Sequence, residues 1–399
     1  MREVVFVDGC RSAFTKLGGA LRSLSGTELA AFVVKGLVQK TGILERGRVD
    51  SVFAGYAMTD SVSIGPARYI CLAAGLPIET SATFVEMQCG SAIAAINSAA
   101  CKIASGLEDV IIVGGMESYS TCPAKFSMSQ EPYKLIPPTA LQSKLSPKPE
   151  ENIGMIEVND KMAAKWGIGR AECDEFALRS QQRMSAAYAK GITGGDIIPY
   201  VIPATKKSPE TVVDKDEQPR PDTTIEGLRK LAPVNEGGVT TAGNASGRND
   251  GAAFLLMMAA EKAAEYGYTP LARWVTGADV GCPPEYMGIG ASHAMLKAMK
   301  QASLKISDID VFECNEAFAA QNLSVVRDMA EQSGGAIDME KWNPNGGAIA
   351  IGHPNGASGA RVAMFAMRQL QNAGGRYGIF SSCCGGGLGV SAIIENISK

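Results

Sequence analysis

The sequence is poor in histidine and lacks the cysteine spacings that usually bind metals. Its 399 residues include only two histidines, His293 and His353. Ten cysteines are present, but no two of them form a Cys-x-x-Cys pair. A zinc site built from cysteine and histidine at the usual spacing is therefore not expected. We expect most of the thiols to be small buried side chains in a reducing compartment.

Long apolar runs and an excess of one charge are also missing. No apolar run approaches the roughly 18 residues that span a bilayer, and the apolar part of MREVVFVDGCRSAF is too short for a signal peptide. Lysine and arginine number 38 against 41 acidic residues, which gives a net charge of −3. The basic residues are scattered along the chain. The sequence therefore predicts a cytoplasmic protein that acts on neither membranes nor nucleic acid.

Regular apolar patterns occupy both ends of the chain. The strand-like runs EVVFVDG, DSVFAGYA and DVIIVGG alternate with the helical patterns GTELAAFVVKGLVQKTG and SAIAAINSAACKIASG. This alternation indicates an α/β protein. The stretch from about 119 to 248 is rich in Pro, Lys, Glu and Ser instead. It predicts an inserted loop domain with a helix near CDEFALRSQQRMSAAYAKG.

The regular parts are duplicated. Residues 26–58 resemble residues 290–318, since each segment has an amphipathic helix, a polar link and an apolar strand. Residues 89–115 resemble residues 352–383 in the same way, with Cys89 and His353 in equivalent positions before a small-residue helix. The predicted division is one half at 1–118 with 249–270, the inserted domain at 119–248, and a second half at 271–399.

Cys89 and His353 have the local settings of a nucleophile and a base. Cys89 lies between a strand and a helix in EMQCGSAIAAINSAA, where the positive helix end favours a thiolate. A buried structural cysteine is the alternative, because free cysteines are commonly buried. His353 lies in the glycine-rich loop NPNGGAIAIGHPNGASGAR before a helix. It could take a proton from a thiol or serve as a hydrogen-bonded structural residue.

Two further stretches place polar groups at strand ends. Asn315 and Glu316 follow a strand in DVFECNEAFAAQN, where the Asn315 amide could donate to an oxyanion or cap a turn or helix. Cys383 and Cys384 end the strand in GIFSSCCGGGLGV, ahead of glycines with accessible amides. Because neighbours on a strand face opposite sides, only one of these thiols can enter a given cleft and act as an acid or base.

Together these stretches resemble the thiolase family. CGS, NEAF, GHPxGASG and CxGGGxG are its four catalytic loops, and TAGNASGxNDGAA at 241–253 is a fifth marker. The resemblance covers nearly the whole chain. It implies two pseudo-symmetric mixed-sheet α/β halves with buried central helices, plus the inserted loop domain. It also implies reversible Claisen condensation and thiolytic cleavage in fatty acid metabolism, as an acetyl-CoA acetyltransferase or 3-ketoacyl-CoA thiolase, with coenzyme A as a substrate and no permanently bound cofactor or metal.

The resemblance assigns a role to each motif. Cys89 would carry the acyl group, His353 would activate Cys89, and Cys383 would exchange the α-proton. Asn315 would hold a water that forms one oxyanion hole with His353, while the N–H groups of Cys89 and Gly385 would form the other. The inserted domain would hold coenzyme A, and family members are usually dimers or tetramers. The implied coenzyme A contacts are Arg220, Ser246, Met287, Ala317, Phe318 and Met155.

Several positions depart from the family pattern. Cys384 stands where a branched apolar residue is usual, and Asn355 replaces a usual isoleucine. The sequence also differs at 291–293, where Pro-Val-Pro or similar is common, and at 234–235, where an aromatic residue is missing. Both segments belong near the expected acyl and pantetheine pocket. They leave the acyl-chain length open and are compatible with a longer or polar acyl group. His293 is expected either at the surface or as an extra polar group at this pocket.

Three alternatives to a thiolase are distinguishable. A decarboxylating ketoacyl synthase shares the fold and the cysteine nucleophile, but it needs a second histidine or an asparagine in place of the second cysteine. A silent homologue that binds coenzyme A or lipid predicts the loss of a reactive group, yet all four are present. A redox sensor would require a disulfide between Cys89 and Cys383, or between Cys383 and Cys384. The two cysteine loops and NEAF favour the thiolase.

Overall fold

The computed structural model describes residues 1–60, 63–127, 129, 131–206 and 208–398. Within these residues the strands are β1 (Val4–Arg11), β2 (Thr15–Lys16), β3 (Ser51–Tyr56), β4 (Ser81–Val85), β5 (Val110–Glu117), β6 (Tyr200–Ile202), β7 (Thr211–Val213), β8 (Asn249–Ala259), β9 (Ala272–Gly281), β10 (Val311–Cys314), β11 (Tyr377–Cys384) and β12 (Leu388–Asn396). The strand runs recognised in the sequence are all present, with ends shifted by at most two residues.

The helices follow local sequence signals. In the first of them Ser25 accepts a hydrogen bond from the N–H of Glu28, whose carboxylate accepts from Ser25 in return, and Gly42 ends the helix at φ 64°. The helices are α1 (Gly26–Thr41), α2 (Ile43–Arg46), α3 (Pro66–Ala73), α4 (Ser91–Ala104), α5 (Met155–Lys165), α6 (Arg170–Ala189), α7 (Ile225–Arg229), α8 (Ala260–Glu265), α9 (Gly290–Ala302), α10 (Ala319–Ser333), α11 (Ala348–Ile351) and α12 (Asn355–Ala373).

Ten of the described strands form one mixed sheet in the order β10-β11-β12-β9-β1-β8-β5-β3-β4, with β2 paired to β8, and β6 and β7 form a separate two-stranded sheet. The two ends of this sheet repeat one pattern. The parallel pair β3–β5 continues into the antiparallel strands β8 and β1, and the parallel pair β10–β11 continues into β12 and β9. In one half β4 pairs with β3. At the equivalent place in the other half, Phe312 of β10 forms a parallel bridge with Trp342. The predicted duplication is confirmed.

The helices α4 and α12 occupy the equivalent place in each half and pack against each other in one buried cluster. Their contact requires glycine, because a Cβ on Gly359 would lie 2.7 Å from the backbone nitrogen of Ile93. This close approach places the amino ends of both helices near the carboxyl ends of β5 and β11. The residues that precede the two helices are Cys89 and His353.

The insertion between β5 and β8 is more regular than the sequence indicated. The predicted helix is present as α6 and begins three residues earlier than expected, while α5, α7 and the β6–β7 pair were not predicted. A buried bidentate ion pair joins the insertion to the first strand, with Arg11 donating to Asp216 at 2.6 and 2.8 Å. The domain boundaries at 118/119 and 248/249 coincide with strand ends and stay a prediction.

No helix in the described parts of the chain has the length and apolar character that a membrane crossing requires.

Candidate active site

Cys89 lies in a short 3-10 turn, Gln88–Gly90, which we call the nucleophile turn. Gln88 adopts φ 47°, a left-handed conformation that is rare for residues other than glycine. Ser91 fixes this turn, because its hydroxyl donates to the carbonyl of Gln88 at 2.7 Å and accepts from the N–H of Met87 at 2.9 Å. The nucleophile turn contacts both α12 and β11. The fold thus brings the three predicted catalytic segments together.

The surroundings of the Cys89 thiol favour its protonated form. Burial raises its pKa to about 12, and the nearby carboxyl group of Glu117 adds to this effect. The N–H groups of Cys89 itself and of Gly385 act in the opposite direction, by donating to the sulfur. The predicted preference for a thiolate at the helix end does not describe the resting state, because burial has the largest effect on this pKa. A base must remove this proton.

His353 is held as a neutral imidazole. Its Nδ1 lies 2.6 Å from the hydroxyl of Ser358, and that hydroxyl donates its one hydrogen to the carbonyl of Pro354 at 3.0 Å. With the hydroxyl hydrogen donated to Pro354, we assign the tautomer in which Nδ1–H donates to the Ser358 oxygen and the lone pair is on Nε2. Burial lowers the pKa of His353 to about 3, and the positive charge of Arg361 contributes. The ring can accept a proton at Nε2.

Asn315 lies beside this ring. Its Nδ2 is 3.4 Å from Nδ1 and 3.3 Å from Nε2 of His353, while its Oδ1 accepts from Arg361 at 3.2 Å. The Asn315 backbone is fixed as well, since its N–H donates to Ser381 at 2.9 Å and its carbonyl accepts from Asn322 at 3.0 Å. The amide donor of Asn315 and the imidazole thus converge, as the motifs predicted.

Glu316, the next residue, has a different environment. It is buried and accepts from the hydroxyl of Ser180 at 2.6 Å, the amide of Asn343 at 2.9 Å and the N–H of Ile349 at 3.3 Å. Ser180 belongs to α6 in the insertion. These bonds make Glu316 a structural link between the insertion and the second half rather than a group at the cleft.

Cys383 and Cys384 are both fully buried at the end of β11 and pack in different clusters. Cys383 packs in the outer cluster that contains Met287 and Ala317, whereas Cys384 lies in the central cluster that contains α4 and α12. The alternation predicted for adjacent strand residues is therefore present. Burial raises the pKa of both thiols well above the usual value, and the proximity of Cys89 adds to it.

The glycines around these thiols allow a close approach. A Cβ on Gly90 would lie 2.5 Å from the sulfur of Cys384, so a larger residue would separate the nucleophile turn from β11. Gly385 follows the strand, and its N–H faces the Cys89 sulfur. The N–H groups of Cys89 and Gly385 therefore point at one small region, which is the arrangement that an oxyanion hole requires.

The six residues expected to contact coenzyme A fall into three places. Ser246 donates from its N–H and its hydroxyl to the carbonyl of Ala317, both at 3.0 Å, and the neighbouring residue Ala245 forms a bridge with Phe318. Met155 and Met287 pack in or against the cluster that holds Cys383. Arg220 is exposed and lines a cavity of 380 Å³ on the insertion, together with Gly243.

Three groups near the cleft were not recognised in the sequence. Ser358 fixes the tautomer of His353, and only its position one turn into α12 could have indicated this. Glu117 is buried and accepts from the N–H of Gly356 at 3.2 Å and of Met58 at 3.3 Å, and burial raises its pKa to about 8. Arg361 donates to Asn315. The last two depend on contacts between segments that are distant in sequence.

His293 and the disulfide alternatives can also be placed. The His293 side chain is 33% exposed, and its Nε2 lies 3.5 Å from a carboxylate oxygen of Asp328 on α10. It therefore pairs with a neighbouring helix at the edge of the fold. All ten cysteines are free thiols, including the adjacent Cys383 and Cys384.

Comparison with known proteins agrees with this geometry. Residues 4–261 match the model of the thiolase N-terminal domain, and residues 268–396 match that of the thiolase C-terminal domain. The chain is 40% identical to beta-ketoadipyl-CoA thiolase of Acinetobacter baylyi, with 100% of both chains covered, and 39% identical to acetyl-CoA acetyltransferase of Chromobacterium violaceum, with 98% and 99% covered.

A solved thiolase structure also resembles this chain in fold. Human mitochondrial 3-ketoacyl-CoA thiolase in complex with CoA superposes with a TM-score of 0.89 at 36% identity, covering 99% of this chain and 98% of that one. The chain therefore belongs to the thiolase family of CoA-dependent acyltransferases.

Proposed function

We propose that Cys89, His353, Asn315 and Cys383 carry out the thiolase reaction in this protein. The observation that carries the proposal is the contact of the nucleophile turn with both α12 and β11, which hold the proposed base and the second thiol. Glu117 spans the same gap, since it bonds to Gly356 of α12 and raises the pKa of Cys89. A neutral thiol and a neutral imidazole with an unprotonated Nε2 are the proposed starting state.

The first half of thiolysis forms the acyl-enzyme. The Cys89 proton passes to Nε2 of His353, and the sulfur attacks the 3-keto carbon of the ketoacyl-CoA. The N–H groups of Cys89 and Gly385 stabilise the oxyanion on that carbon. The C–C bond then breaks, and the two electrons move onto the departing acetyl-CoA as an enolate. Its oxygen lies toward His353, now protonated, and the Nδ2 of Asn315.

Cys383 completes this half and begins the next. Because its raised pKa keeps it protonated, Cys383 is suited to donate a proton to the enolate carbon, which gives acetyl-CoA and a Cys383 thiolate. That thiolate takes the proton of an incoming CoA thiol, whose sulfur attacks the acyl group on Cys89. Cys89 leaves and regains its proton from His353. Condensation follows the same steps in reverse.

The insertion is proposed to hold coenzyme A. Ser246, Ala317 and Phe318 are in contact with one another and adjoin the cluster of Cys383 and Met287, so they suit the pantetheine arm. Arg220 lies farther out beside the 380 Å³ cavity, where its charge suits the phosphates of the nucleotide.

Single-thiol variants test the assignment. Acetoacetyl-CoA and CoA are mixed with the protein, and loss of the ketoacyl-CoA absorbance is followed for Cys89→Ala, Cys383→Ala and the adjacent control Cys384→Ala. We expect the first two to lose at least about 100-fold in kcat and the control to keep most of it. An inactive Cys384→Ala beside an active Cys383→Ala would reverse the two roles. Full activity of Cys89→Ala would refute the mechanism.

A second candidate concerns the acyl group, because the cleft has a polar wall. Tyr119 hydrogen-bonds to the side chain of Asn355, the residue that departs from the family pattern, and it lies close to Cys89. Burial raises the pKa of the Tyr119 hydroxyl, and the nearby guanidinium of Arg248 opposes this. Arg248 is exposed, makes no ion pair within the described residues, and forms a backbone bridge with His353.

These groups suit an acyl chain that ends in a carboxylate. Arg248 would pair with that carboxylate, while Tyr119 and Asn355 would offer hydrogen bonds that a plain alkyl chain cannot use. The relative from Acinetobacter baylyi is named for such a substrate, beta-ketoadipyl-CoA. We propose a 3-ketoacyl-CoA with a terminal carboxylate as the alternative to acetoacetyl-CoA or an alkyl 3-ketoacyl-CoA.

An oligomer is proposed from the outer edge of the sheet. The terminal strand β4 pairs with β3 on one side, and Tyr69, Leu72, Ile78 and Phe84 nearby are 39–67% exposed. An exposed strand edge with apolar side chains is usually covered, and a second copy of the chain would cover it as a dimer or half of a tetramer. Light scattering measures the mass directly. The ten free thiols suit action in the reducing cytoplasm.

A further inference from the structure

Arg361 is a buried cation that takes no direct part in the proposed steps. It lies on α12, its side chain is 0% exposed, and it donates from Nη2 to Oδ1 of Asn315 at 3.2 Å. Its charge partner is Glu313 on β10, also 0% exposed, with 3.5 Å between Nη1 and the nearer carboxylate oxygen. The guanidinium also lies over the ring of Phe365, 5.0 Å from the centroid.

The ion pair is poorly satisfied. Within the described residues, Nε and Nη1 of Arg361 and both carboxylate oxygens of Glu313 have no hydrogen-bond partner. Burying two charges costs free energy that is recovered only when the remaining donors and acceptors are bonded. In agreement with this, burial raises the pKa of Glu313 to about 8 although Arg361 opposes the shift. Stability alone does not account for a cation at this position.

The hydrogen bond to Asn315 supplies a reason. An asparagine amide can rotate by half a turn and exchange its oxygen with its nitrogen. A guanidinium only donates hydrogen bonds, so it accepts Oδ1 and excludes Nδ2 as its neighbour. With Oδ1 held by Arg361, Nδ2 must face the ring of His353, where it lies 3.3 Å from Nε2. The Asn315 backbone is fixed independently, so this bond decides the orientation of the amide.

We propose that Arg361 is a positioning residue, which holds the Asn315 amide with its donor toward the enolate oxygen. The inference rests on the proposed function, because it requires Asn315 to act during turnover. The positive charge of Arg361 has a second effect on the site. It lowers the pKa of the nearby His353, which keeps the imidazole unprotonated in the resting protein.

A double-mutant cycle tests whether Arg361 acts through Asn315. The variants are Arg361→Met, Asn315→Ala and the double variant, assayed for acetoacetyl-CoA thiolysis. We expect Arg361→Met to lower kcat by about 10-fold to 100-fold with little change in KM for CoA. The double variant should be no slower than Asn315→Ala. Once the Asn315 amide is absent, the Arg361 guanidinium has nothing to orient, so removing it as well should have no further effect on kcat. Arg11→Met is the matched control. The Arg11 side chain is also fully buried and forms an ion pair, but its partner is Asp216 and not a residue next to Asn315. Its loss should therefore lower the Tm and leave kcat unchanged.

The possible outcomes separate the inference from the proposed function. The positioning role is overturned if the fold-loss in kcat of the double variant equals the product of the two single fold-losses. It is also overturned if Arg361→Met has the kcat of the wild type. A fully active Asn315→Ala overturns the role of Asn315 itself and with it the proposed mechanism. If Arg361→Met does not fold, Arg361→Lys replaces it in the cycle, since lysine keeps the charge but loses the planar fork. If Arg361→Lys lowers kcat in the wild-type background but not in the Asn315→Ala background, the inference is supported. If it lowers kcat by the same factor in both backgrounds, the inference is refuted.

Discussion

Burial sets the chemistry of Cys89, His353 and Cys383. It raises the pKa of both thiols and lowers that of the imidazole, so the three groups are uncharged before substrate arrives. A thiolate–imidazolium pair in such a cleft forms only when something stabilises it. In the proposed mechanism, the N–H groups of Cys89 and Gly385 and the amide of Asn315 stabilise the charges that develop during the reaction.

The residues proposed to react could be identified from the sequence, and those that contact them could not. Cys89 and His353 each occupy a glycine-flanked entry to a helix, which is a local signal. Glu117 and Arg361 act through contacts between segments that are distant in sequence, which no local pattern records, whereas Ser358 contacts His353 from one turn into α12. The direction of the Cys89 pKa shift is not evident from the sequence either, because its main cause is burial in the folded protein.

Replacing Arg248 tests the preference for a terminal carboxylate. We expect Arg248→Gln to lower kcat/KM for 3-ketoadipyl-CoA by about 10-fold, the loss of roughly one ion pair at a partly exposed site. The value for 3-ketohexanoyl-CoA, which has the same length and a methyl end, should change little. Arg48→Gln is the control, since Arg48 is exposed and pairs with Asp50. Equal losses for both substrates in Arg248→Gln would remove the preference.

At the scale of elements, the same strand and helix order occurs twice. The sequence predicts these elements well, because their apolar periods are long and their ends carry capping signals such as Ser25 and Gly42. It predicts the insertion poorly. The strands β6 and β7 have three residues each, too few for a periodic pattern, and α5 packs its apolar side against the second half through Val158 and Met162.

The crossing of α4 and α12 is the element contact most sensitive to side-chain size. A Cβ on Gly359 would meet the backbone of Ile93 at 2.7 Å, and backbone cannot move aside as a side chain can. We expect Gly359→Ala to destabilise the protein by about 1–3 kcal/mol and to lower kcat as the helix ends separate. Gly195→Ala, where the nearest atom is 3.6 Å away, should leave the Tm within a degree or two of wild type. An unchanged Tm in Gly359→Ala would contradict the tight crossing.

At the scale of the whole molecule, stability and the site share buried ionisable groups. Glu117 has a pKa of about 8 in the folded chain, against an ordinary value of 4.5. A carboxyl group with a raised pKa favours the folded state fully below pH 4.5, and this contribution is lost as the pH rises through 8. The amide of a glutamine copies the protonated form and does not titrate.

Glu117→Gln is therefore expected to gain stability relative to wild type as the pH rises. The difference in Tm, variant minus wild type, should grow between pH 5 and 8 and level off above about 8. Thermal unfolding of both proteins in a series of buffers of constant ionic strength measures it. A difference that stays constant over this range would mean that Glu117 keeps an ordinary pKa in the folded protein.

The placement of Cys89 before α4 and of His353 before α12 has a consequence for protein synthesis. The ribosome releases the nucleophile long before the base, and the second thiol follows later still. If these residues act as proposed, a nascent or truncated chain carries Cys89 without His353, Gly385 or the second thiol, so it cannot complete the reaction. Activity then begins only when the last helix and its following strand are in place, and the appearance of turnover marks the completion of folding.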